Sequence, residues 1–199
     1  MIKILTGIPY LVNQKAFWAL LGYKRGKSQL SQEMMRKIEE SVERAKRVIK
    51  PVGIYGLFGV EEIGEEYLVI GGKRINSRSL ASHFRGFTHG YLMAVTIGEE
   101  FDRLMEALPV DQAVILDAFG SEAVEGVAES LNRAIEREGV HFGLHRFNWR
   151  YSPGYGDLSL ETNLVFDELL GLSSVGIKVT ERFSLLPLKS ITAIIPAGG

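Results

Sequence analysis

The run R-Y-S-P-G-Y-G-D at residues 150–157 gathers more chemically demanding side chains than any other stretch of the chain. Arg150 carries a rigid fork of donors that can grip a carboxylate or a phosphate from two sides. Pro153 fixes φ near about −65° and removes a donor, while Gly154 and Gly156 reach backbone angles closed to other residues. Tyr151 and Tyr155 flank the turn. Two readings fit these residues: a structural turn whose arginine pairs with a neighbouring acid, or a loop that holds an anionic ligand against backbone. A second candidate is Glu125, in a long helical pattern where Gly120 and Gly126 leave a face open. Such a face suits the approach of a ligand or another backbone, or plain packing of the helix against a sheet.

Several chemistries are excluded or disfavoured. The 199 residues contain no cysteine, which rules out disulfides, thiolate metal sites and a catalytic thiol. His141 and His145 fall in an extended stretch, where four residues span about 13 Å and the two rings do not converge on a metal. No G-x-S-x-G elbow or phosphate-binding G-x-x-x-x-G-K-[ST] loop is present. Gly53, Gly56 and Gly59 stand three apart and do not make a dinucleotide fingerprint. A net charge of −1 and scattered basic residues offer no nucleic-acid stripe. The N-terminal stretch, broken by Gly7 and Pro9, does not read as a signal peptide, and no apolar run reaches the ~20 residues of a membrane span. A cytoplasmic protein of one domain, residues 1–199, is expected.

The elements that must position Arg150 and Glu125 can be read from capping and periodicity. Asn13 caps a helix over 14–21, and Ser31 caps a helix over 32–49 with Met34, Met35, Ile38, Val42 and Ala45 on one face. K-R-G-K-S at 24–28 is a basic loop between them. Residues 52–60 and 90–98 read as buried strands, and 66–75 as a hairpin turning at Gly71-Gly72. Ser79 is expected to cap a short helix, and 99–108 to form another. The longest helix spans about 111–138, its buried stripe being Leu116, Phe119, Ala123, Val127, Leu131 and Ile135. From His141 to Tyr151 the chain alternates, setting Trp149 and Tyr151 opposite Arg150 if extended. Ser159 caps a helix over 160–170, and strands follow near 177–183 and 190–195. These elements predict an α+β fold: a largely antiparallel twisted sheet flanked by helices, with one long central helix.

Three blocks, in order, resemble the activation domain of cobalamin-dependent methionine synthase. R-Y-S-P-G-Y-G-D matches that family's R-x-x-x-G-Y signature at Arg150, Gly154 and Tyr155. L-D-A-F-G-S-E-A-V-E-G-V-A-E-S-L (116–131) resembles its long helix and places Glu125 on the family's ligand-binding glutamate. E-R-F-S-L-L-P-L-K-S-I-T-A-I-I (181–195) follows. The N-terminal half matches loosely, chiefly through L-G-Y at 21–23.

The resemblance implies binding of S-adenosylmethionine. Arg150 would hold its carboxylate and Glu125 its ammonium, with the Pro153, Gly154, Tyr155 and Gly156 stretch at its adenosine. Where the family continues P-A-C-P, this chain has Gly156-Asp157. Asp157 either compensates for a missing ligand contact or caps the next turn. The chain also ends before the family's C-terminal aromatic contact and shows no match to its N-terminal ligand aspartate, so weaker affinity is expected.

By the same resemblance the chain is a reactivation subunit. It would support reductive methylation of cob(II)alamin carried by a separate, truncated methionine synthase, with electrons from flavodoxin or an equivalent reductase. It would belong to a methyltransferase in methionine biosynthesis while having little activity alone. The alternatives are a reactivation protein for another corrinoid methyltransferase, or a diverged non-catalytic binding module.

Overall fold

The sheet is built outward from β5 (His89–Thr96), which is buried along all but its first residue. β2 (Val52–Ile63) pairs along one side of it and β9 (Ser190–Gly198) along the other. In the computed structural model, which describes residues 1–23 and 31–199, every strand pairing is antiparallel. β2 is longer than expected. Its first half pairs with β1 (Ile2–Thr6), and its second half bends through a bulge at Val60/Glu62 to pair with β3 (Tyr67–Ile70). β3 turns at Gly71 and Gly72, both at positive φ, into β4 (Lys73–Asn76), as the glycine pair predicts. β6 (Arg146–Phe147) closes the other edge against the end of β9.

Alternation along the central strands divides the interior in two. Tyr91, Met93 and Val95 of β5 and Ala193, Ile195 and Ala197 of β9 face one side; Leu92, Ala94 and Ile194 face the other. The first side is covered by α1 (Gln14–Leu20), α2 (Gln32–Val48), α4 (Glu99–Glu106) and α5 (Val110–His141). All six expected stripe residues of α5 are buried there. The second side is covered by α3 (Arg78–His83) and α6 (Asn163–Leu170), through Leu80, Phe84, Phe166 and Leu170. The α+β architecture with a central long helix is as the sequence predicts.

Asn13 and Ser31 cap α1 and α2, each accepting from the amide three residues on. Other local expectations are corrected. α3 is capped by Ser77, whose Oγ accepts from the Leu80 amide at 3.0 Å, so Ser79 lies inside the first turn. The helix expected over 160–170 starts as a 3-10 turn, Leu160–Thr162, before α6. The strand expected near 177–183 is a two-residue arm, β7 (Lys178–Val179), paired with β8 (Leu185–Leu186) outside the main sheet. Gly126 and Gly120 do not meet the sheet. A Cβ on Gly126 would lie 2.5 Å from the Leu11 carbonyl oxygen, and one on Gly120 would lie 2.5 Å from the Phe101 ring. The basic loop at 24–28 lies outside the described residues.

Candidate functional site

Arg150 reaches its position because the chain after β6 continues to track β9. His145 donates its amide to Gly198 O at 2.8 Å and Asn148 to Pro196 O at 3.2 Å. Tyr151 and Ile194 then exchange both bonds at 2.9 Å. The next residues break the track. Pro153 has no N–H to give, and Gly154 takes φ +93. The chain peels off and closes a tight turn through Gly154 N–H to Leu158 O at 2.8 Å and Leu158 N–H to Tyr155 O at 2.9 Å. On the side away from β5, no strand among the described residues therefore pairs with β9 beside Ser190–Thr192. Ile194, Pro196 and Gly198 all turn their polar backbone toward this edge, so by the period of two Thr192 does so as well.

The gap is a cleft of about 430 Å³, within the size range of small-molecule sites. Arg150, Ser152, Pro153 and Tyr155 form one wall, and Glu125 projects from α5 at the mouth. Arg150 Nη2 lies 3.2 Å from Glu125 Oε2 and 3.9 Å from Glu129 Oε2, with the arginine side chain 22% exposed. Trp149 and Tyr151 point to the opposite side and pack on His83, with ring centroids 4.6 and 5.3 Å away. The alternation read from the sequence is thus observed. Glu122, one turn before Glu125, has its carboxyl pushed up by burial and by the charge of Glu125.

The remaining wall was not foreseen. Asn163, buried at the start of α6, donates from Nδ2 to Phe183 O at 2.7 Å and accepts on Oδ1 from the Thr192 hydroxyl at 2.6 Å. It joins the helix, β9 and the segment carrying Ser184 and Leu185 at the back of the cleft. Phe183 is held at φ +61, a region costly for a bulky residue. Asp102 of α4 accepts the Leu188 amide at 2.6 Å, and its carboxyl is pushed up chiefly by burial. Lys189 Nζ meets Asp117 Oδ1 at 2.7 Å and Ser121 Oγ at 2.9 Å. A polar residue in the first turn of the Ser159-capped helix was the one signal for Asn163; spacing carried none for Asp102.

Of the residues picked out in the sequence, Arg150, Glu125, Pro153 and Tyr155 line the cleft. Gly154 shapes the turn. Gly156 packs away from the cleft, close to the Tyr151 hydroxyl and to Ser79. Asp157 does not cap the turn that follows it and is not among the cleft-lining residues. Its Oδ1 accepts from the Ser77 hydroxyl at 2.5 Å and the Ser79 amide at 3.2 Å, and its Oδ2 from the Arg78 amide at 2.8 Å. These bonds, that from Ser77 foremost, hold its carboxyl down at about 2. Among the described residues, no three His, Asp or Glu side chains are grouped to hold a metal, and no helix is long and apolar enough to cross a membrane.

The sequence matches no family model and no curated protein. The fold does have a counterpart. The solved structure of the MetH reactivation domain bound to AdoHcy superposes with a TM-score of 0.73, over 98% of this chain and 78% of that one. Sequence identity across the match is 16%. The fold implied by the R-x-x-x-G-Y resemblance is therefore the fold observed.

Proposed function

We propose that this protein binds S-adenosylmethionine in the Arg150–Glu125 cleft and acts as a reactivation subunit for a cobalamin-dependent methionine synthase. One observation carries the reading. A cation and an anion stand 3.2 Å apart at the mouth of a cleft that ends on an open strand edge. The amino-acid end of S-adenosylmethionine carries a carboxylate and an ammonium on one carbon. It can take the place of the internal pair, giving its carboxylate to Arg150 and its ammonium to Glu125, and leave no charge unpaired. Glu129, one turn further along α5 and 3.9 Å from the same Nη2, continues to balance Arg150. The backbone edge at Thr192 suits the hydrogen-bonding rim of a flat base, and Tyr155 offers a face for packing. Glu122, Glu125 and Glu129 bias the neighbourhood toward a cationic ligand. The AdoHcy in the MetH structure is S-adenosylmethionine without its transferable methyl, which supports the same ligand class here.

Bound in the cleft, S-adenosylmethionine would supply the methyl group that, with an electron from flavodoxin or an equivalent reductase, returns cob(II)alamin on the partner to methylcobalamin. The contribution of this chain is orientation: Arg150 and Glu125 fix the amino-acid end, and the 150–157 turn fixes the wall beside it. No side chain is required as nucleophile or base. Titration calorimetry of the purified protein with S-adenosylmethionine tests the ligand. Saturable binding is expected, and its absence would refute the reading.

A further inference from the structure

The turn that bears Arg150 is held from behind by a single short helix, at both of that helix's ends. At the start of α3, Asp157 takes the Ser77 hydroxyl and the amides of Arg78 and Ser79. At its end, His83 Nε2 lies 2.8 Å from the Trp149 carbonyl oxygen. A carbonyl only accepts, so Nε2 carries the hydrogen, and Nδ1 then accepts from Asn148 Nδ2 at 3.2 Å. Asn148 Nδ2 also reaches the His83 carbonyl at 3.4 Å, and its Oδ1 accepts the Trp149 amide at 3.0 Å. His83 itself is 9% exposed and sits under the rings of Trp149 and Tyr151. None of these groups touches the cleft. All of them fix backbone on either side of Arg150, Ser152 and Pro153, which do.

We infer that His83 and Asp157 are positioning residues: through α3 they clamp the two ends of the 148–157 segment and so set where Arg150 meets its ligand. The physical need is plain. Residues 152–157 leave the β9 ladder and contain a proline and two positive-φ glycines, so their own bonds do not anchor them to the sheet. The pairing of Tyr151 with Ile194 secures one side only. A loop free to move by about 1 Å would forfeit much of the gain from a preorganised arginine. The inference deepens the proposed function and rests on it for the identity of the ligand.

Four variants test it in the full chain. His83→Phe keeps a ring between Trp149 and Tyr151 and removes both hydrogen bonds; His83→Gln restores a donor toward Trp149. Asp157→Ala removes the other clamp at an exposed position, and Asp157→Asn retains an acceptor. In ligand-free protein, hydrogen exchange at the Gly154, Tyr155 and Leu158 amides is expected to quicken about tenfold in His83→Phe and Asp157→Ala, the scale of one lost hydrogen bond. The S-adenosylmethionine Kd should rise about fivefold or more in the same two variants, with recovery in His83→Gln and Asp157→Asn. Unchanged exchange overturns the inference. That includes the case where Asp157→Ala weakens binding alone, which would make Asp157 a direct ligand contact. If His83→Phe does not fold, the Asp157 pair decides. Failure of wild type to bind S-adenosylmethionine would sink the proposed function, while the exchange rates would still judge the clamp.

Discussion

Arg150 and Glu125 pair with each other, and that pairing is worth little to the fold. Partly exposed ion pairs contribute about 0–1 kcal/mol, and Glu125 is half exposed. Their geometry matters for a ligand that brings its own pair of charges. Arg150→Ala is expected to weaken S-adenosylmethionine binding by about 1.5–3 kcal/mol, the worth of a charge-assisted contact. Its Tm should stay near that of wild type, and calorimetry of both proteins checks the two statements together. Glu125→Gln keeps the shape and removes the charge, so binding should weaken while melting barely moves. A large fall in Tm with unaltered affinity would instead assign Glu125 a structural role.

At the scale of elements, α5 and α3 each carry a signature of what they pack against. Gly126 lies where α5 meets the Leu11 backbone, and a methyl group added there would stand only 2.5 Å from the Leu11 carbonyl oxygen. Alanine would gain about 1 kcal/mol in helix propensity. Pushing apart two backbones costs about 1–3 kcal/mol, so Gly126→Ala is expected to lower Tm, measured by thermal denaturation. α3 depends on Asp157, whose carboxyl is held down at about 2 in the folded protein against about 3.9 in an unfolded chain. A depressed acid stabilises the fold above its unfolded value and loses that contribution as pH falls toward the folded one. Stability should therefore drop between about pH 4 and pH 2. In Asp157→Asn that part of the acid limb should be shallower, which a series of melts across the range would detect.

For the whole molecule, the proposed role requires meeting a cobalamin-bearing partner and then releasing it. A modest, partly polar contact beside the Arg150 turn fits such an encounter. The exposed Tyr155 stands within that turn, on the cleft wall. The purified chain should be colourless. Mixed with the partner, a reductant and S-adenosylmethionine, it should convert cob(II)alamin to methylcobalamin, seen as a change in the visible spectrum. Leaving out this chain or the methyl donor should abolish the change. Conversion at full rate without the chain would refute the role while leaving ligand binding to be judged separately.

The sequence by itself determined those features that depend on local spacing. The α5 stripe, the Gly71-Gly72 hairpin, the caps at Asn13, Ser31 and Ser159, and the opposition of Arg150 to Trp149 and Tyr151 all follow from the periods of helix and strand. The turn at Pro153-Gly154 was legible for the same reason, since proline and glycine restrict or free the backbone wherever they stand. Only the tertiary structure decided which distant groups meet. Spacing does not say that Ile2–Thr6 pairs with β2, that Asn163 bonds both Phe183 and Thr192, or that Asp102 holds Leu188. Nor could it choose between a ligand contact and a cap for Asp157, because its partners Ser77, Arg78 and Ser79 lie about eighty positions earlier. Such contacts depend on how layers stack and on which strand edge is left open, and a chain acquires both only when its core has packed.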